Sequence, residues 1–301
     1  MSIQVNNITK LYGAQKALNN ISFEVGSNEI VGFLGPNGAG KSTMMKILTC
    51  YIPPTEGSAK VCGFDIIEQS LEVRKQIGYL PEHNPLYLDM YVKEFLEFVG
   101  GIYKIKNIKS RVKDMIDMTG LQVEQNKKIG ALSKGYRQRV GLAQAIIHDP
   151  KVLIMDEPTT GLDPNQLEEI RGLIKALGKE KTVMLSTHIM QEVEAICDRV
   201  IIINKGEIVA NDETKNLQKN TTKQIITVEF DKEVSEKLLR KINNIEEVKL
   251  LSGNTWHLSS TSKEDIRKDI FNFAVANNLS VLTLNKDEQT MEDVFKELTK
   301  K

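Results

Sequence analysis

The sequence predicts an α/β protein: a layered core of largely parallel strands, a helical insertion inside it, and a small α+β domain after it. Three observations carry this. Apolar runs of strand length, residues 30–34, 152–155, 182–185 and 200–203, alternate with helical patterns. Between about residues 86 and 148 the apolar spacing changes to three and four, as in Phe95, Phe98, Val99, Ile102 and Val112, Met115, Ile116. Beyond residue 220 the order of elements starts afresh, with short strands and helices in alternation.

Taken along the chain, residues 3–8 and 21–25 read as short strands. The apolar run 30–34 leads into a glycine-rich turn and a helix over 41–50, and Val61 marks an edge strand. Pro164 suits the first turn of a helix between the strands at 152 and 182. The polar, lysine-rich stretch 212–223 reads as a last helix and linker. Then come strand 225–230, helix 232–242, strands 248–251 and 255–259, helix 263–277, strand 280–284 and a helix over 290–298. The first six of these follow the β-α-β-β-α-β order of ferredoxin-like domains. The expected domains are 1–220, with a helical subdomain at 86–148, and 221–301.

Composition narrows the function. Forty basic residues balance 40 acidic ones, so the zero net charge gives no reason to expect a nucleic-acid partner. The start of the chain has no charged leader before an apolar run. The longest apolar stretches fall far short of the ~20 residues that span a bilayer. A cytoplasmic chain is expected, with Cys50, Cys62 and Cys197 as buried reduced thiols rather than a metal or disulfide set.

Gly35-Pro36-Asn37-Gly38-Ala39-Gly40-Lys41-Ser42-Thr43 fits G-x-x-x-x-G-K-[ST], the phosphate-binding loop. Its glycines let backbone N–H groups approach phosphate oxygens, and the helix that follows points its positive dipole end at the anion. Lys41 is expected on the β- and γ-phosphates of ATP and Ser42 on Mg²⁺. The run 152–155 ends in Asp156 and Glu157. Asp156 is expected beside Mg²⁺ through its water shell and Glu157 as the general base on the attacking water. An acidic strand end that only caps a helix is the competing account.

Between these motifs lies Leu132-Ser133-Lys134-Gly135-Tyr136. With it the sequence resembles the ATP-binding cassette (ABC) family over roughly residues 2–215, and the segment resembles that family's L-S-G-G-Q signature. Lys134 and Tyr136 depart from it. The resemblance implies a P-loop cassette, with a mixed sheet core and a helical subdomain. It also implies that Ser133 and Gly135 touch the γ-phosphate of ATP held by a second chain. Read alone, Ser-x-Gly before a helix is more often an N-cap. Tyr12 resembles the aromatic that stacks on adenine, although such a residue after a strand is usually core. Asp163, in Gly161-Leu162-Asp163-Pro164, resembles the loop that meets the partner subunit. His188 resembles the switch histidine that donates to the γ-phosphate or the lytic water; a lone histidine at a strand end is more often a satisfied surface residue. In Ile77-Gly78-Tyr79-Leu80-Pro81-Glu82 the family most often has glutamine where Glu82 stands, and Glu82 is expected to keep the metal contact. His83, Asn84, Pro85 and Tyr87 are expected to line a groove for a membrane partner's helix.

The resemblance implies a head-to-tail pair of cassettes, the second identical or a paralogue, closed by ATP and opened by hydrolysis. A separate integral-membrane permease would convert that motion into transport, with this chain at the inner face of the membrane. Glu82, the L-S-K-G-Y segment and the ending Gln289-Thr290-Met291-Glu292-Asp293-Val294-Phe295 resemble the ATPases of ABC-2-type exporters. Within that branch the overall pattern resembles the gliding-motility-associated ATP-binding subunits of Bacteroidetes. The competing reading is a soluble ABC ATPase acting on ribosomes or DNA. Such proteins usually carry two cassettes or a long coiled-coil insertion, and neither pattern is present.

Overall fold

Four strands of the central sheet are buried along nearly their whole length, and their sequences are accordingly unbroken apolar runs rather than alternating ones. The structure, a computed structural model, describes residues 1–219, 224–262, 264–287 and 291–299. The expected linker end at 220–223, the helix start at Lys263, and Gln289 and Thr290 lie outside the described residues. The chain forms two compact units, Met1–Thr214 and Lys215–Lys300.

In the first unit, β1 (Ile3–Tyr12), β2 (Gln15–Val25), β3 (Ile30–Leu34), α1 (Lys41–Leu48), β4 (Glu56–Val61), β5 (Phe64–Asp65), α2 (Ser70–Gln76) and β6 (Ile77–Leu80) come first. The helices α3 (Val92–Ile102), α4 (Ile108–Thr119) and α5 (Lys134–Ile146) follow. Then come β7 (Val152–Asp156), α6 (Pro164–Gly178), β8 (Thr182–Thr187), α7 (Met190–Ile196), β9 (Arg199–Asn204) and β10 (Glu207–Glu213). A sheet in the order β10-β9-β3-β8-β7-β6 is parallel except for β10. An antiparallel sheet, β2-β1-β4-β5, packs its apolar face into the same core through Ile3, Val5, Ile21 and Phe23.

Several expectations change here. β1 and β2 are longer than their apolar runs because register shifts between Val5 and Leu11 break the alternation. Asn7 and Asn20 take positive φ in these strands, and their amides bond at 2.7 Å. β4 is not an edge strand, since it lies between β1 and β5. β10 buries none of its residues, so it has no buried apolar run to mark it. Its turn is better marked: Lys205 and Gly206 both have positive φ, the two-residue hairpin geometry, and glycine suits the second position. In the helical insertion Val112, Met115 and Ile116 are buried with Phe95 and Val99, but Phe98 and Ile102 are exposed. Phe98 instead meets Tyr87, ring to ring at 5.8 Å. Only Cys197 of the three thiols is fully buried; Cys50 and Cys62 are half-buried.

Helix α8 (Thr214–Lys219) begins at the last residue of the first unit, and the second unit continues with β11 (Gln224–Phe230), α9 (Glu236–Leu239), β12 (Glu247–Ser252), β13 (Thr255–Ser260), α10 (Arg267–Ala276), β14 (Val281–Asp287) and α11 (Met291–Thr299). Its antiparallel sheet runs β12-β13-β11-β14. Ile226, Val228, Phe230, Leu258 and Ile270 form its core. The helix expected over 232–242 is a single turn, after which Lys241 and Ile242 bond to carbonyls three residues back.

Helix α5 sits directly on β6, and Gly78 allows it. A Cβ there would lie 2.1 Å from the Ala145 carbonyl oxygen of α5. Arg111 of α4 then covers the carbonyls of Ile147 and Ile146, at 2.8 and 2.9 Å, at the end of α5. Gly78→Ala is therefore expected to lower stability by about 1–3 kcal/mol through overpacking. Urea denaturation followed by circular dichroism measures this, and an unchanged midpoint contradicts the close packing.

Candidate active site

Parallel strands deliver their carboxyl ends to one edge of the sheet, the edge where open α/β sheets bind ligands. Here β3 leads into Gly35, β6 runs toward Glu82, β7 ends at Asp156 with Glu157 next, and β8 leads to His188. The registers Leu34 to Thr187 and Asp156 to Ser186 bring these ends level.

The turn from β3 to α1 admits little besides glycine. A Cβ on Gly35 would lie 2.4 Å from the Ile203 carbonyl oxygen, and one on Gly40 would lie 2.5 Å from that of Ala17. Gly38 and Gly40 also have φ of 79° and 111°. Helix α1 begins at Lys41 with no side-chain cap and no acidic residue in its first turn. Its leading N–H groups and positive dipole end thus lack an internal counter-charge. These features fit the phosphates of a nucleotide, for which a Cβ-lined or carboxylate-capped turn would leave no place.

Beside this turn stands a polar cluster, buried at Lys41 and Glu157 and open to solvent at His188. The Lys41 ammonium donates to the Gly35 carbonyl at 2.8 Å and to that of Pro36 at 3.3 Å. It also lies 3.6 Å from Glu157 Oε1. His188 Nδ1 is 3.0 and 2.9 Å from the two Glu157 oxygens, and Thr160 donates its hydroxyl to Glu157 Oε2 at 3.1 Å. Glu157 is only 8% exposed and has φ of 51°, a conformation costing about 1–2 kcal/mol in a residue with a Cβ. Ser186 offsets part of that cost: its carbonyl and its hydroxyl oxygen each accept from Glu157 N at 3.1 Å. The same hydroxyl donates to Asp156 Oδ1.

Ser42, Glu82 and Asp156 line one cavity of about 600 Å³. They offer a hydroxyl and two carboxylates, the hard oxygen donors that suit Mg²⁺, which usually keeps waters and only one or two protein carboxylates. Among the described residues no cluster of three or more His, Cys, Asp or Glu forms a closed metal cage. Tyr79 lines the cavity too, its phenol pushed up by burial and by the nearby Asp156 charge. His83 and Pro85 reach the cavity, whereas Asn84 and Tyr87 do not line it. At its far side Tyr103 stacks on His148, with ring centroids 3.9 Å apart. Burial lowers the His148 pKa, favouring the neutral ring, and Ile77 O takes its Nε2–H at 3.0 Å.

Ser133, Gly135 and Asp163 form a separate group. Ser133 caps α5, its hydroxyl accepting from Tyr136 N at 3.4 Å. Asp163 caps α6 by accepting from Gln166 N at 2.9 Å. Gln166 also covers Gly135, where a Cβ would meet its amide oxygen at 2.2 Å. Among the described residues no hydrogen bond links this group directly to Lys41, Glu157 or His188. Tyr12, at the end of β1, is 49% exposed with the Lys10 ammonium 5.4 Å from its ring centre. Sequence reasoning missed Ser186 and Gln138, whose amide donates to the Pro158 carbonyl at 2.9 Å. A hydroxyl before His188 was the available signal for the first; the second had none.

A family model described as ABC transporter matches residues 18–160. The chain is 33% identical to the uncharacterized ABC transporter ATP-binding protein YxlF of Bacillus subtilis, covering 97% of this chain and 98% of that protein. The chain belongs to the ABC transporter ATP-binding family. This ABC ATPase is also 32% identical to the bacitracin transport ATP-binding protein BcrA of Bacillus licheniformis, over 98% of this chain and 96% of that one. It matches the dimeric post-hydrolysis structure of the ATP-binding cassette MJ0796 bound to ADP and Pi with a TM-score of 0.65 and 28% identity. That match covers 70% of this chain and 98% of the other.

In this ABC ATPase a phosphate bound at the turn would compete with two backbone carbonyls for the Lys41 ammonium. Replacing Lys41 with Met removes a charge-assisted contact worth about 1.5–3 kcal/mol. Nucleotide affinity is expected to fall about 10- to 100-fold, measured by titration with a fluorescent ATP analogue. Undiminished affinity contradicts the role of Lys41.

Proposed function

We propose that this chain is the ATP-hydrolysing subunit of an ABC-2-type exporter, working as a head-to-tail pair under a separate permease. The observation that carries the reading is the shared cavity. Ser42 and Asp156 stand at its nucleotide end, and His83, Pro85, Tyr103 and His148 line the rest. A partner helix in that groove would touch the same walls that hold the metal donors, so nucleotide state and partner position have a common physical medium. Among the described residues no helix is long and apolar enough to cross a membrane. The reading places the membrane span in the permease and this chain at the inner face of the membrane.

Each residue has a task in this reading. Lys41 and the N–H groups from Gly38 to Thr43 bind the phosphates of ATP, with Tyr12 against the adenine. Ser42, Asp156 and Glu82 would hold Mg²⁺, which when bound neutralises charge on the β- and γ-phosphate oxygens. Glu157 takes a proton from the attacking water, and His188 keeps that carboxylate oriented. Ser133, Gly135 and Asp163 face the nucleotide of the second chain, identical or paralogous, and α5 directs its positive dipole end toward it. Export is supported by a relative named for Nod factor export. The narrower likeness to gliding-motility subunits rests on overall sequence pattern alone.

Glu157→Gln is expected to reduce turnover at least about 1000-fold while ATP still drives dimer formation. Phosphate release and size-exclusion chromatography with ATP read the two effects, and sustained hydrolysis removes Glu157 as the base. Affinity purification of the full chain from membranes should recover an integral-membrane protein; recovery with ribosomes or DNA instead overturns the transport reading.

A further inference from the structure

One carboxylate in this region has no task in the reaction as described. Glu192, in the first turn of α7, is 1% exposed and forms no ion pair among the described residues. Two hydroxyls meet it: Thr187 donates to Oε2 at 2.6 Å, and Thr159 donates to Oε1. Burying a carboxylate without a cation is costly, and an apolar side chain would seat α7 against the sheet at less cost. Attraction to the start of α7 would be satisfied by a carboxylate left in water, so it does not account for the burial.

The two hydroxyls come from different segments, and each segment carries one member of the catalytic pair. Thr187 is the last residue of β8, directly before His188, and its oxygen also accepts from Ile189 N at 3.1 Å. The backbone on both sides of His188 is therefore tied to Glu192. Thr159 lies in the loop after β7, two residues beyond Glu157, and is itself 2% exposed. One side chain thus fixes the segments whose relative position sets the 2.9 Å contact between His188 and Glu157.

We propose that Glu192 is a positioning residue for ATP hydrolysis, holding Glu157 and His188 in register by accepting one hydroxyl from each of their segments. Buried as it is, it acts through those segments rather than on the reacting atoms. The inference rests on Glu157 as the base, and the test separates the two. Steady-state ATP hydrolysis is measured on the full chain, on its Glu192→Leu, Glu192→Gln, Thr159→Val and Glu157→Gln variants, and on the Glu192→Leu, Thr159→Val double variant, with circular dichroism for folding. Glu192→Leu is expected to lower kcat by about tenfold or more, with KM for ATP within about threefold of the parent. Glu192→Gln can still accept from Thr187 and donate to the Thr159 oxygen, so it should keep about a third or more of kcat. Thr159→Val should lower kcat about threefold alone and add little in the Glu192→Leu background, as expected for partners in one contact.

A folded Glu192→Leu protein with the parent kcat overturns the proposal. So does a Gln variant as impaired as the Leu variant, or a loss that only follows the fraction unfolded. If Glu192→Leu does not fold, Thr159→Val decides alone, and a parent-like kcat there overturns it. An active Glu157→Gln removes the base and the proposal together; an inactive Glu157→Gln beside an active Glu192→Leu removes only the positioning role.

Discussion

The backbone turn between Leu34 and Lys41 is the constraint around which this unit is arranged. It must bring several N–H groups to one point without any side chain in the way. Gly35 presses on the Ile203 carbonyl and Gly40 on that of Ala17, so the turn is moulded against β9 and β2 as well as β3. Once β3 is fixed between β8 and β9, the parallel register places Asp156, Glu157 and His188 beside that turn. The apolar strands supply burial in bulk. The glycines and the register convert that burial into a site.

Much of this was legible in the sequence because it rests on short-range rules. Fully buried parallel strands announce themselves as apolar runs, and a phosphate loop needs glycine and lysine at fixed spacing. Strand lengths were less legible, since the bulges of β1 hide its period of two, and β10 buries none of its residues. The insertion's helices were evident, yet Phe98 and Ile102 face outward despite correct spacing, because spacing names a face without saying how wide the neighbour covering it is. In the site, the residues named from motifs gather in two groups. Their supports, Ser186, Gln138 and Glu192, act through contacts to the loop after β7, which lies 20 to 33 residues away in the chain. The sequence marks only the first of them, by a hydroxyl before His188.

The departures from the usual motifs can be given physical content. Glu82 adds a negative charge to a cavity that already holds Asp156, which favours a bound cation more strongly than a neutral amide would. Lys134 adds a positive charge at the start of α5, where a glycine is usual. Its ammonium lies against Gly161, close enough that a Cβ on that glycine would sit 2.2 Å from Nζ. A cation at a helix start opposes the dipole locally, so Lys134 is not there to stabilise α5. It packs instead on the loop after β7.

That loop is where the two groups of site residues join, and nearly every residue in it is engaged. Glu157 takes the left-handed conformation beside Lys41, and Gln138 of α5 grips the Pro158 carbonyl. Glu192 takes the Thr159 hydroxyl, and Thr160 returns its own to Glu157. Gly161 lies under Lys134, and Asp163 caps α6. These contacts tie the two ends of the loop to the same neighbouring elements. In a head-to-tail pair, the Asp163 end would face the nucleotide of the second chain while the Glu157 end serves its own. In that arrangement, closure at one nucleotide would bear on Glu157 at the other through this single loop.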